Sequence, residues 1–245
     1  MTASIGPSTA TGPAPWPSRT SVGFSVYETL GEAWAVYTRN SGRLILIAGM
    51  VFALLSLLYM IVDVANARAL AIVSAGVTLL GVLSLQGALT VFVDDLRAQR
   101  SQRSIGGLFG AVAPVLWVLL GAELVATVGI VGGLILFIVP GLALLTIWSG
   151  IIPAVVLERR GMLECFRRSM DLVSGNFLKV LAVIVITIVL GTIVATVIGI
   201  ALSPLPRYAD VYLSSVVANA VTMPYVAVAW TVMFFELRLA KEGPR

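Results

Sequence analysis

Residues 111–156 read AVAPVLWVLLGAELVATVGIVGGLILFIVPGLALLTIWSGIIPAVV, and Glu123 is the one charged side chain among them. As a single helix rising ~1.5 Å per residue, this block would run about 70 Å, over twice the ~30 Å hydrocarbon core of a bilayer. It therefore has to turn back within its own length. Pro140-Gly141 is the predicted break, because proline ends a helix and glycine permits a tight turn. A third span near 114–138 and a fourth near 141–157 follow.

The remaining spans are read outward from this block by the same length criterion of about 20 apolar residues. Leu44 to Val62 is the first, ending at Asp63, and Leu70 to Val93 is the second, ending at Asp94-Asp95. Leu178 to Leu202 is the fifth and Val211 to Phe235 the sixth, with Pro224 as a kink site. The predicted fold class is all-α: a polytopic membrane protein with six transmembrane helices. Composition agrees, since hydrophobic residues make up 59% and charged residues 11% of the 245 residues, against roughly 25% charged in a soluble domain. Too little polar surface exists to cover so much hydrocarbon in water.

Residues 1–24 are rich in Ser, Thr, Pro, Gly and Ala and are expected to be a disordered cytoplasmic tail rather than a secretory signal. The membrane domain is expected over 25–240 and a short cytoplasmic tail over 241–245. Fourteen of the 16 Lys and Arg residues lie in the N-terminal segment, the second and fourth connections and the C-terminus; the other side holds Arg68 and Arg207. The positive-inside rule predicts both termini in the cytoplasm. The net charge of +4 serves topology and headgroup contact, so nucleic acid is not an expected partner.

Three segments on the predicted cytoplasmic side share a pattern. Ser25-Val-Tyr-Glu28 fits a capping box followed by Leu30, Ala33, Trp34 and Tyr37; Ser104 is followed by Ile105, Leu108, Phe109 and Val112; the third offers Met162, Cys165 and Phe166. Each reads as a short interfacial amphipathic helix ahead of two spans, giving three hairpin units that start near 25, 104 and 161. A second reading also fits: connections between spans tend to be amphipathic without any repeat.

The stretch from Leu134 to Ile184 carries Pro140, Gly141, Pro153, Glu158, Gly161, Arg168, Ser169 and Gly175. Together these resemble the bacterial family named after the membrane domain of glycerophosphoryl diester phosphodiesterases, and the related inner-membrane family that includes YciC. The resemblance implies a fold and a location in the bacterial cytoplasmic (inner) membrane. It does not imply phosphodiesterase chemistry, which belongs to a separate soluble domain that uses histidines and metal-binding carboxylates.

Histidine is absent and Cys165 is the single cysteine, so His-based catalysis, histidine metal sites and an internal disulfide are excluded. No catalytic residue, cofactor or metal site is expected, and the chain is expected not to be an enzyme. Glu123 lies ~14 Å deep by residue count, and Gln86, Ser149 and Thr187 fall at ~10–14 Å from three other spans. Such a layer can line a cavity or a transport path, or form a buried hydrogen-bond knot; the knot is favoured, because no second carboxylate or cation accompanies Glu123. Arg159, Arg160, Arg167 and Arg168, beside Glu158, can contact anionic headgroups or a membrane protein partner, or simply set topology. A corner salt bridge between Glu158 and Arg168 is expected. Gly129 and Gly133 are spaced for close helix packing. The Asp94-Asp95 pair is expected to be solvated. The functional expectation is a non-catalytic membrane protein acting through lipid or protein contacts, with a small transporter or channel around Glu123 as the alternative.

Overall fold

Lipid offers no partner for backbone N–H and C=O groups, so a chain this apolar satisfies them within helices. The computed structural model describes residues 23–64 and 68–243, the side chains of 64, 68, 69 and 207–209 apart, and among these residues there is no strand. Residues 1–22 of the tail expected over 1–24 lie outside the described residues, as do residues 244 and 245, while Phe24 is buried in the core instead. Nine α-helices are described: α1 Val26–Val64, α2 Arg68–Arg97, α3 Ile105–Val112, α4 Leu116–Leu136, α5 Ile138–Ile147, α6 Ile151–Val156, α7 Met162–Val173, α8 Phe177–Leu202 and α9 Arg207–Glu242. Six stretches among them are long and apolar enough to cross a membrane, with α3 continuing into α4 and α5 into α6. The protein is all-α and polytopic.

Consecutive spans pack as hairpins, α1 on α2, α4 on α5 and α8 on α9, and α1 lies along α9 to join the two ends of the chain. The helix expected ahead of each hairpin takes a different form in each unit. In the first it is fused with the span, as α1 runs unbroken from Val26 to Val64. No proline interrupts 38–43, and Thr38, Asn40 and Ser41 turn their side chains back onto the carbonyls of Trp34, Val36 and Thr38. In the second unit Ser104 caps α3 by accepting from the Gly107 N–H at 3.2 Å, and Pro114 forces a 3-10 turn over Ala113–Val115 before α4. Only in the third is the helix separate: α7 buries Cys165, Ser169, Leu172 and Val173 on one face and ends where Gly175 takes φ +87°. At the C-terminus Lys241 and Glu242 still belong to α9 rather than to a tail.

The turn in the long apolar block falls three residues before its expected place. Phe137 alone, in extended conformation, separates α4 from α5, and Pro140 sits in the first turn of α5, where its missing N–H costs nothing. Gly141 serves close approach instead of the turn: a methyl group there would stand 2.6 Å from the backbone nitrogen of Leu134. Gly133 faces Gly141, and Gly129 leaves room for the Trp148 ring. Both glycines of the small-residue pair thus work inside one hairpin.

A second break divides the fourth span between α5 and α6, at Trp148-Ser149-Gly150. Ser169 of α7 repairs it: its hydroxyl donates to the Ile147 carbonyl at 2.6 Å and accepts from the Gly150 N–H at 3.0 Å. Burial is heaviest in the half that carries both chain ends, around Leu44, Leu89, Phe92, Ile151, Ile184, Met233 and Phe234. The opposite half turns Ile72, Val128, Ile135, Phe137, Val197 and Ile200 outward, the surface expected of a lipid-facing rim.

Two substitutions test these contacts in thermal unfolding of the detergent-purified chain. Ser169→Ala should lose roughly 1–3 kcal/mol, because it strands the buried Gly150 N–H. Gly141→Ala should lower the midpoint clearly while Gly199→Ala, which meets nothing within 4 Å, leaves it nearly unchanged.

Candidate functional site

The break in the fourth span does more than interrupt a helix. Together with α6 it stands back from α8 and α9 and leaves a cavity of about 400 Å³ walled by α2, α6, α8 and α9. Gln86 and Thr90 face it from α2, Ser149, Ile152 and Pro153 from the fourth span, Thr187, Thr192 and Ala195 from α8, and Asn219, Thr222, Trp230 and Thr231 from α9. Among the described residues no ionisable side chain lines it. Its volume is within the range of small-molecule sites, roughly 300–1,000 Å³.

Three of the four residues expected to form a polar layer therefore meet: Gln86, Ser149 and Thr187 share one cavity. Glu123 does not join them. It sits on α4 near α7, close enough to Cys165 for its charge to act on that thiol. The helical phase of Glu123 turns it toward α7 and away from the cavity. Cys165 is buried, and burial first, with the Glu123 charge acting in the same direction, pushes its thiol up to about 11.

The cavity's hydroxyls are tied to their own helices. Thr90, Ser149 and Thr187 donate to the carbonyls of Gln86, Thr146 and Val183, and Thr192, Thr222 and Thr231 donate to those of Ile188, Ala218 and Ala227. Thr90 and Thr231 lie 3.2 Å apart, and the Trp230 indole N–H donates to Thr187 Oγ1 at 3.2 Å. The Asn219 amide nitrogen donates to the Ser215 carbonyl at 2.8 Å. Thr90, Thr192, Asn219, Thr222, Trp230 and Thr231 escaped the sequence reading. Their signal was present as helical spacing: Thr187, Gly191, Thr192 and Ala195 form one stripe of α8, and Asn219, Thr222, Val226 and Trp230 one stripe of α9.

The basic cluster lies apart from the cavity, on the face that carries both chain ends. Arg168 grips Glu158 through Nε at 2.8 Å and Nη2 at 2.7 Å, forming the expected corner pair, and also reaches Glu242 at 2.5 Å. Arg160 adds a contact to Glu158 at 3.2 Å, with Arg238 at 3.9 Å. Arg159, in left-handed conformation at φ +54°, donates to the Ala111 carbonyl at 3.0 Å near the end of α3. Arg167 is exposed. Much of the proposed headgroup contact is thus spent on internal pairing. Gly161 caps α7, and Pro153 is buried in α6. Burial alone would raise the Glu158 carboxyl, but the hydrogen bonds and charge of Arg168, and then of Arg160, outweigh it and hold Glu158 below the usual carboxylate range.

The expectation of solvated aspartates at the end of α2 is corrected. Asp95 is 2% exposed and pairs with Arg103 at 3.2 Å, while Arg100 reaches Asp94 at 2.8 Å. Arg43 bonds to Gln102 and to the Arg103 carbonyl, drawing α1 to this corner. Among the described residues no group of three or more acidic or cysteine side chains could hold a metal ion.

The architecture and the cavity define a polytopic helical membrane protein with an uncharged site within its spans. The family described as a domain of unknown function (DUF7847) matches residues 91–240, and the chain belongs to that family. The match takes in every cavity wall except Gln86 and Thr90. No curated protein and no solved structure matches the chain.

The Glu158 pair makes stability depend on pH. Its folded value is lowered, so its contribution is full above the unfolded carboxyl value of about 4.3 and fades as pH falls through the lower folded value. The unfolding midpoint should hold from neutrality to about pH 5 and drop below about pH 4. Glu158→Gln should cost about 2 kcal/mol at neutral pH and flatten that drop.

Proposed function

We propose that the chain is a non-catalytic accessory protein of the bacterial cytoplasmic membrane, with both termini in the cytoplasm, that takes a small amphiphile from the bilayer into the cavity between α2, α6, α8 and α9. The observation that carries this reading is the lining itself: hydrocarbon interleaved with hydroxyl and amide groups, and no acid, base or thiol. Such a wall holds a molecule but offers no proton donor or nucleophile of the strength that catalysis usually needs.

Several features support the rest of the proposal. The cations described in contact, from Arg43 to Lys241, gather on the face that carries both chain ends, as the positive-inside rule expects of a cytoplasmic face. The resemblance to the phosphodiesterase membrane-domain and YciC-like families points to the same bacterial membrane. The half of the bundle away from that face is poorly buried, which leaves a way in from lipid. A transport path through Glu123 draws no support from this cavity, since Glu123 lies outside its wall.

The test is to fill the cavity. A methyl group at Gly191 would meet only Thr222 Cβ, at 3.9 Å, so Gly191→Leu should fold and project into the space. Native mass spectrometry of the wild-type chain released from membranes should show a retained lipid-sized adduct, reduced at least fivefold in Gly191→Leu. Equal retention by the variant would sink the proposal.

A further inference from the structure

Resting on the reading of the cavity as an amphiphile site, we infer that its ligand is a neutral lipid alcohol: a long hydrocarbon chain with a hydroxyl head that donates hydrogen bonds. The argument is an inventory of donors. Each of the six cavity hydroxyls, from Thr90, Ser149, Thr187, Thr192, Thr222 and Thr231, has its one proton spent within the wall, on a carbonyl of its own chain three or four residues back or, between Thr90 and Thr231, on the other hydroxyl at 3.2 Å. A hydroxyl has one donor and two lone pairs, so what these groups present to the cavity is acceptor oxygen. The Trp230 N–H is spent on Thr187, and the Asn219 amide nitrogen donates to the Ser215 carbonyl at 2.8 Å and to its Oγ at 3.4 Å.

The side-chain amide of Gln86 is the exception. It lines the cavity and has no hydrogen bond among the described residues, so it offers both a donor and an acceptor. A hydroxyl head matches this set, donating to a threonine or Gln86 oxygen and accepting from the Gln86 amide. An ester or ether head, which only accepts, finds one partner where a hydroxyl finds several. A phosphate or carboxylate brings a charge into a wall without a cation, and an ammonium brings one into a wall without a carboxylate. The chain of the alcohol fits the remaining lining of Ile152, Ile188, Ala195, Met223 and Val226.

The experiment uses the full chain in lipid nanodiscs and a dodecanol that carries a diazirine on its chain. Photolysis should mark peptides within 187–195 and 219–231, and unlabelled dodecanol should compete at least tenfold better than its methyl ether, dodecanoate or dodecylammonium. Thr187→Val and Gln86→Leu should each weaken labelling about tenfold. Thr192→Val, whose hydroxyl bonds only to its own helix, provides a variant with little risk to folding and should weaken it by a smaller factor. Equal competition by the methyl ether overturns the donor assignment and leaves the cavity site standing. Equal competition by dodecanoate or dodecylammonium overturns the neutrality of the ligand. Labelling confined to the outer lipid-facing surface, with no competition, overturns this inference and the amphiphile reading together.

Discussion

A broken helix inside a membrane has to find partners for the backbone groups that the break releases, and here one hydroxyl supplies them. Ser169 takes the Gly150 N–H and gives its proton to the Ile147 carbonyl, so a side chain of the surface helix α7 completes the fourth span. It is fully buried, and the absence of a side chain at position 150 is what admits it: a methyl there would stand 3.0 Å from the serine oxygen and 3.4 Å from the Phe234 ring. The break in turn aims Ser149 at the cavity and lets α6 run at its own angle against α2. Water would solvate such a break at no great cost, whereas hydrocarbon makes the serine obligatory.

The residue beside it explains how α7 is held in place. Arg168 clamps Glu158, at the start of the connection, and Glu242, at the end of α9. Neighbouring residues on α7 thus fix its two relationships, Ser169 to the bundle interior and Arg168 to the charged rim. The Arg-Ser pair quoted in the family resemblance therefore has a local physical reason here. Its arginine is no free headgroup ligand, since both of the carboxylates it meets belong to the same chain.

The sequence revealed the six crossings and three residues of the site, and its misses have identifiable causes. Length and hydropathy located every span because lipid imposes a coarse rule on any chain that crosses it. Depth along each span was also legible, which is why Gln86, Ser149 and Thr187 converge. Angular phase was not. Glu123 shares their depth and points elsewhere, because in a helix apolar on all sides no polar stripe marks the inward face. Proline misled in one place, since Pro140 is harmless in the first turn of α5 while Phe137 makes the corner. The unbroken α1 was hidden by polar residues at 38–41 that look like a connection but satisfy themselves within the helix.

The distribution of charge follows from the same constraint that demands Ser169. An ionised group within hydrocarbon needs a partner or a route to the surface, and in the corner clusters of Asp95 and Glu158 the carboxylates are matched by arginines at the membrane edge. Neighbouring arginines stack on aromatic faces, Arg43 on Phe92 and Arg97 on Phe235, which seals the bundle at that end with hydrocarbon and cation together. In the cavity, polarity takes forms that cost little in lipid: hydroxyls bonded within the wall, an indole N–H and two amides. A cavity built under those terms is polar without being charged and rich in acceptors while short of donors. Its selectivity for a neutral, donating head group is thus the consequence of how threonine satisfies itself in a transmembrane helix.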